Sequence, residues 1–181
     1  MRVLNHEGAL LLETLAPLRG SDLSGRQLQR AQLSGVDLSD AILTGANLSA
    51  AFLGGADFSR SDLSGASMDT ATCVGARFDE ANLTDADLYW ISAGLASFRG
   101  ATLIRTKCRG GGFEDADFQG AKLVKVDFGP CDMGGGAFLG GADFTGATFE
   151  GVIFRGAKYN ERTRLPVSVD PKEVGMILVA E

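Results

Sequence analysis

From Leu18 onward an apolar residue returns at every fifth position: Leu23, Leu28, Leu33, Leu38, Leu43, Leu48, Leu53, Phe58, Leu63, and so on without a break to Met133. After one extra residue the same register resumes at Leu139 and runs through Phe144, Phe149 and Phe154 to Tyr159. There are 29 such repeats, with Leu at the centre 14 times and Phe 9 times. Two residues before each centre stands a small residue, Ala in 19 of the 29. A helix needs apolar residues about 3.6 apart and a half-buried strand about 2. A strict five suits neither, but it suits a chain that turns one corner per repeat. On extended backbone side chains alternate, so the centre and the small residue two before it both point inward. The other three positions, filled mostly by Asp, Asn, Ser, Thr, Gly and Arg, face out.

The number of repeats per coil follows from which side chains would stack. At a 20-residue spacing Leu23, Leu43, Leu63, Leu83, Leu103 and Leu123 form one ladder, ending at Phe144, and Phe58, Phe78, Phe98 and Phe118 form its neighbour. A 15-residue spacing mixes Phe58, Cys73, Leu88 and Leu103. Four repeats per coil are therefore expected, giving about seven coils and a shaft of roughly 34 Å. A solenoid buries its core only by stacking, so both ends need covers. The chain divides accordingly into a cover at 1–15, a repeat region at 16–159 and a second cover at 160–181. In the first, Leu10, Leu11, Leu12 and Leu15 are expected to face the first coil, whether as helix or strand. In the last, Asp170-Pro171-Lys172-Glu173 reads as the capped start of a short helix, with Pro at its first position. Met176, Ile177, Leu178 and Val179 would then seal the last coil.

Departures from the pattern carry information too. Ile91 stands where Ala is usual, and Ala93 is the one small centre, a volume swap within one repeat. Gly134-Gly135-Gly136 holds the single-residue insertion, where glycine permits a bulge. Arg26 occupies an inward position and marks irregular early coils.

Composition excludes several classes. With 25 Gly but only 4 Pro the chain is neither collagen-like nor a proline-rich linker, and 45% hydrophobic residues argue against disorder. A net charge of −6 disfavours a protein built to neutralise phosphates. Cys73, Cys108 and Cys131 are too widely spaced for a metal site and read as reduced core thiols. The apolar run Ala9-Leu10-Leu11-Leu12 is cut by Glu13 and no small-residue cleavage site follows. A soluble, cytoplasmic protein that needs no metal or cofactor is expected.

Catalytic constellations are missing. Any Ser/His/Asp or Cys/His arrangement would have to use His6, which lies outside the repeats. The runs Gly110-Gly111-Gly112 and Gly134-Gly135-Gly136 lack the Lys-Ser/Thr of a phosphate loop. Acid pairs such as Asp79-Glu80 and Glu114-Asp115 stand on a convex shaft with no pocket to desolvate them. The chain reads as no enzyme.

Repeats such as Ala46-Asn47-Leu48-Ser49-Ala50 and Ala86-Asp87-Leu88-Tyr89-Trp90 resemble the A(D/N)LXX motif of the pentapeptide-repeat family, and the resemblance covers residues 16–159. It implies a right-handed, quadrilateral parallel β-helix and no single activity. Family members that bind DNA gyrase resemble duplex DNA in shape and charge and confer quinolone resistance. Within 16–159 there are 17 acids and 13 bases, a charge of −4. Duplex DNA as long as the shaft carries roughly −20, so close mimicry is disfavoured, though a local acidic strip around Asp79, Glu80, Asp85 and Asp87 remains a candidate. With no insertion longer than one residue expected, the projecting loops of the Gram-negative gyrase binders are missing as well.

The sharper candidate contact is apolar: Tyr89 and Trp90 occupy outward positions of one repeat, and Leu95 is outward in the next. Phe52 and Ile153 also replace the usual polar residue before the centre, and the register places them on one side, about five coils apart. The expected function is a noncatalytic, rigid protein-interaction module without direct nucleic-acid or membrane binding. The alternative is a DNA-mimicking modulator of DNA gyrase.

Overall fold

The computed structural model describes residues 2–13 and 17–180. From Asp22 to Lys107 each outward residue pairs in parallel with the one 20 positions on, as in Asp22 with Ile42, Ile42 with Asp62 and Asp62 with Asn82. Every fifth residue from Gly20 to Lys125 adopts left-handed backbone, with φ between +53° and +68°. Four corners per coil follow, and the chain winds as a parallel β-helix. All regular elements among the described residues are strands. Among the described residues no helix is long and apolar enough to cross a membrane.

The repeat motif has a physical reason at each position. The centres and the small residues two before them are the core, from Leu18 to Phe154, and most are fully buried. The Asp or Asn just before the centre caps the corner that follows. Asp22 accepts the Ser24 N–H at 2.9 Å, Asp37 that of Ser39 at 2.9 Å, and Asn47 that of Ser49 at 3.0 Å. Most corners are closed by a bond such as Ser21 N–H to the Leu18 carbonyl at 3.1 Å. Trp90 and Leu95 both hold left-handed corners, where a side chain costs about 1–2 kcal/mol.

The rod has four sides, each named by its outward column. The first carries Asp22, Ile42, Asp62, Asn82, Thr102, Lys122 and Thr148; β3 (Thr102–Ile104), β4 (Lys122–Val124) and β5 (Thr148–Glu150) stack on it. The second carries Gln27, Asn47, Ser67, Asp87, Lys107, Asp127 and Ile153. The third carries Gln32, Phe52, Thr72, Ser92, Gly112, Phe138 and Lys158, and the fourth Asp37, Asp57, Arg77, Ser97, Asp117, Asp143 and Arg164.

One large break interrupts the stacking, besides a single extra residue before Arg164, which pairs with Asp143 21 positions back. Gly112 pairs with Phe138 and Asp117 with Asp143, an offset of 26 residues. Six residues, 131–136, leave the coil as a loop; Ala137 N–H closes its base on the Phe128 carbonyl at 2.9 Å. The expected one-residue insertion is thus a whole repeat plus one, and a five-residue excursion leaves a five-residue period unchanged. Met133, expected as an inward centre, is 82% exposed on this loop. The ladders shift with it. Leu123 pairs with Phe149 rather than Phe144, and Phe144 extends the aromatic stack of Phe58, Phe78, Phe98 and Phe118, its ring 4.7 Å from that of Phe118. Ile153 moves to the second side, away from Phe52 on the third.

Other expectations are corrected at the ends. The N-terminal segment is an antiparallel hairpin of β1 (Arg2–Leu4) and β2 (Leu10–Glu13), joined to the third side where the Leu4 carbonyl accepts the Gln32 N–H at 2.8 Å. Val3 is buried, Leu11 and Leu12 pack partly against the core, and Leu10 is exposed beside the register shift between Val3 and Leu4; Leu15 lies outside the described residues. Arg26 is exposed: its coil has no neighbour below to enclose it. The expected C-terminal helix is one turn. Asp170 caps it through the Lys172 N–H at 2.8 Å, but Gly175, at φ +75°, stops it with Met176 N–H on the Pro171 carbonyl and Gly175 N–H on that of Lys172. The chain then forms β7 (Ile177–Leu178) in parallel with β6 (Lys158–Tyr159). Met176 is buried, but Ile177 and Leu178 are 50% and 56% exposed rather than sealing the core. The bulk of Ile91 is absorbed across coils as well as within its repeat: a Cβ at Gly111 would lie 3.2 Å from its Cγ2.

Candidate functional site: one uncharged side

Ion pairs link successive coils on the second and fourth sides and at the edges. Arg60 meets Asp40 at 2.7 Å, Arg105 grips both oxygens of Asp85 at 2.6 and 2.5 Å, and Lys107 lies 3.5 Å from Asp87. Arg77 bridges Asp57 at 3.5 Å and Asp79 at 3.2 Å, Arg99 meets Asp117 at 2.7 Å, and Arg109 meets Asp127 at 2.6 Å. The hydrogen bond from Arg105 holds the Asp85 carboxyl below its ordinary range, and Arg60 does the same to Asp40. Asp69 is pushed the other way, first by burial and then by the charge of Asp87. Burial alone raises Cys73, and burial is also the main cause at Cys108, so neither thiol suits nucleophilic work.

The third side differs. From Gln32 to Gly112 its outward column and the residues after its centres carry no charge, and its exposed side chains include Phe52 and Val74. The first acid is Glu114, whose carboxylate lies against Gly112. Trp90 and Leu95 are the two corners that bound this side within one coil, and Leu95 is 66% exposed. Tyr89 packs edge-on to Trp90, ring centroids 6.3 Å apart at 82°. The indole lies over Gly110, where a Cβ would come within 3.1 Å of Cε2. The 131–136 loop leaves the rod at the same corner. Together they frame a groove of about 390 Å³ lined by Trp90, Met133, Phe138, Lys158 and Ile177 over glycines 110, 134, 135 and 156. Lys158 Nζ sits 4.3 Å above the Phe138 ring.

The candidate acids are not assembled into a strip. Asp79 lies at the end of the fourth side, where it also accepts the Ser97 hydroxyl, and Glu80 holds the next corner. Asp85 is the corner between the first and second sides, and Asp87 is in the second column. Among the described residues no group of three or more His, Cys, Asp or Glu side chains could hold a metal ion. His6 is exposed in the hairpin, 3.5 Å from Glu7.

Sequence reasoning missed a feature of the backbone. No outward residue of the third column is Asp or Asn, so its corners lack side-chain caps. The amides of Ser34, Gly54, Val74, Gly94, Glu114 and Gly140 meet no acceptor among the described residues. The signal was there as far as Ser92, in Gln32, Phe52, Thr72 and Ser92 at 20-residue spacing.

The pentapeptide-repeat model matches the chain in eight copies, over residues 16–55, 41–72, 61–92, 96–135 and 135–158. The chain belongs to the pentapeptide-repeat family. This pentapeptide-repeat protein is similar to HetL from the cyanobacterium Nostoc sp. strain PCC 7120, a regulator of heterocyst differentiation, at 24% identity and a TM-score of 0.36, covering 77% of this chain and 85% of that one. It is similar to QnrB1, a plasmid-mediated fluoroquinolone resistance protein, at 17% identity and a TM-score of 0.35, covering 88% and 92%. A pentapeptide-repeat protein of the Arabidopsis thaliana thylakoid lumen matches at 24% identity and a TM-score of 0.30, covering 87% and 74%. No curated protein matches the chain.

Proposed function

We propose that this chain is a noncatalytic, rigid protein-interaction module that works in the cytoplasm and holds a protein partner against its third side. Residues 1–15 and 160–181 act as covers on a right-handed rod of about seven coils, right-handed because parallel crossover connections of L-residues prefer that hand. The observation that carries the reading is the concentration of Phe52, Val74, Trp90 and Leu95 on or beside the one side whose outward column, from Gln32 to Gly112, carries no charge. Exposed aromatic and aliphatic side chains on an otherwise charged surface mark contact sites. Tyr89, Trp90 and Leu95 are the contacts at its centre.

A DNA-mimicking modulator of gyrase would need an unbroken anionic strip. Asp79, Asp85 and Asp87 instead face cations at 3.2, 2.5 and 3.5 Å, which cancels much of their field. The two readings separate in one experiment. Capture of partners from a cytoplasmic extract is compared between the wild type, Trp90→Glu/Leu95→Glu and Asp79→Asn/Glu80→Gln/Asp85→Asn/Asp87→Asn, alongside inhibition of gyrase supercoiling. Loss confined to the first variant supports the module. Gyrase inhibition that weakens with the second variant overturns it.

A further inference from the structure

We propose that the third side binds a carboxylate-bearing segment of its partner, whose acidic side chains cap the bare corner amides of Gly54, Val74 and Gly94. This rests on the interaction reading above and names the chemistry of the segment that docks.

On the other sides the protein supplies its own acceptor at many corners, though the amides of Gln29, Thr44, Asp69, Asp79 and Arg109 also meet none among the described residues. Only the third side lacks a cap at every corner from Ser34 to Gly140. Asp57 takes the Ser59 N–H at 2.9 Å, Asp62 that of Ser64 at 3.0 Å and Asp117 that of Gln119 at 2.9 Å. The equivalent residues before Gly54, Val74 and Gly94 are Phe52, Thr72 and Ser92, and none of them turns back to its corner. Three amides in adjacent coils therefore stand in line at a spacing of about 4.8 Å, with no internal acceptor. A backbone N–H held by a rigid ladder is a preorganised donor, and a carboxylate is the acceptor that gains most from it. Access is open: Gly54 and Gly94 carry no side chain to shield their amides, and a Cβ at either would meet only a carbonyl, at 3.7 and 3.5 Å. No acid lies on this stretch to repel a carboxylate; the nearest, Glu114, is one coil beyond Gly94. Phe52, Trp90 and Leu95 flank the line and give apolar neighbours of the acids a place to bury. The capping oxygen that the repeat motif places at many corners of the other sides, and at none of the third, is thus left for a partner to bring.

The probes are three synthetic peptides of one design, alternating Leu and Phe with Glu, Gln or Lys, titrated into uniformly 15N-labelled full-length protein. The Glu peptide is expected to bind at least ten-fold more tightly than the Gln and Lys versions, and to move the amide resonances of Gly54, Val74 and Gly94 above all others. Thr72→Asp and Ser92→Asp install the motif's own acceptor, so these variants fold and lose most of the affinity. Equal affinity for the Glu and Gln peptides, shifts that map to another side, or undiminished binding by both variants would overturn the proposal. So would a titration in which the protein pairs with a second copy through this side. If these fail while Trp90→Glu/Leu95→Glu still loses its partner, the acidic chemistry is wrong and the interaction module stands.

Discussion

The third and fourth sides of the rod rest on one core and turn equivalent corners, yet their outer surfaces have little in common. Under the fourth side run Phe58, Phe78, Phe98, Phe118 and Phe144; under the third run Leu53, Cys73, Ala93, Phe113 and Leu139, equally buried. Outside, the fourth carries Asp37, Asp57, Arg77 and Asp117 with their caps and ion pairs, and the third carries Phe52, Thr72 and Ser92 with neither. Both pair through the same backbone ladder. The comparison teaches that inward residues and main-chain pairing hold the coil, while the outward column is free to take another task.

The strongest way to break that comparison is to cut the core beneath each side. Phe113→Ala under the third and Phe118→Ala under the fourth should each cost about 3–5 kcal/mol in urea unfolding. A much smaller loss at Phe113 would mean the uncharged side is loosely packed. Next come the caps. Asp57→Ala should cost about 1 kcal/mol by the same measurement, since the Ser59 amide loses its acceptor, and Thr72→Asp should gain a similar amount. If Thr72→Asp gains nothing, the bare amides of the third side are already well served by water.

A pH titration sharpens the contrast. Asp40 and Asp85 have lowered carboxyl pKa values in the fold, so their contribution to stability is present above the ordinary value near ~4 and fades as pH falls through the folded one. Arg60→Gln and Arg105→Gln should therefore flatten the acid limb of a melting-temperature profile between about pH 5 and 2, whereas Trp90→Ala should leave its shape unchanged. Asp69 runs opposite. Its raised value favours the fold most at low pH, and that advantage is lost as pH rises through it, so Asp69→Asn should relieve a penalty at neutral pH. The smallest effect is at a corner: Ala50, at φ +55° on the edge of the third side, should gain about 0.5 kcal/mol on change to Gly, since relief of left-handed strain slightly exceeds the entropy cost.

Much of the architecture was legible because it rests on inward residues. Leu23, Leu43 and Leu63 stack as their spacing requires, and the pairing of Asp22 with Ile42 fixes four repeats per coil. The loop was illegible for the reason that made the coil legible: a period of five cannot register a loss of five. Asp170 and Pro171 were expected to start a short helix, but Gly175 ended the chain's bend there after a single turn and no helix formed. Of the candidate site, Tyr89, Trp90 and Leu95 could be picked out as outward apolar residues. Their neighbours Met133, Phe138 and Lys158 could not, since they reach that edge only through the loop. Charge counted along the chain also misled, because Asp85 and Asp87 look clustered in sequence while Arg105 and Lys107 answer them from the next coil.

The extruded loop at 131–136 also separates length from orientation. Twenty added residues would lengthen such a rod by one layer and leave every surface facing as before. Five added within the ladder would rotate everything downstream by a quarter turn. By discarding one repeat to solvent, the chain has reset its angular phase, and so it carries Phe138, Lys158 and Ile177 into line with Phe52 and Ser92. A lineage of such rods could realign its two halves by gaining or losing one short loop, with no change to the core.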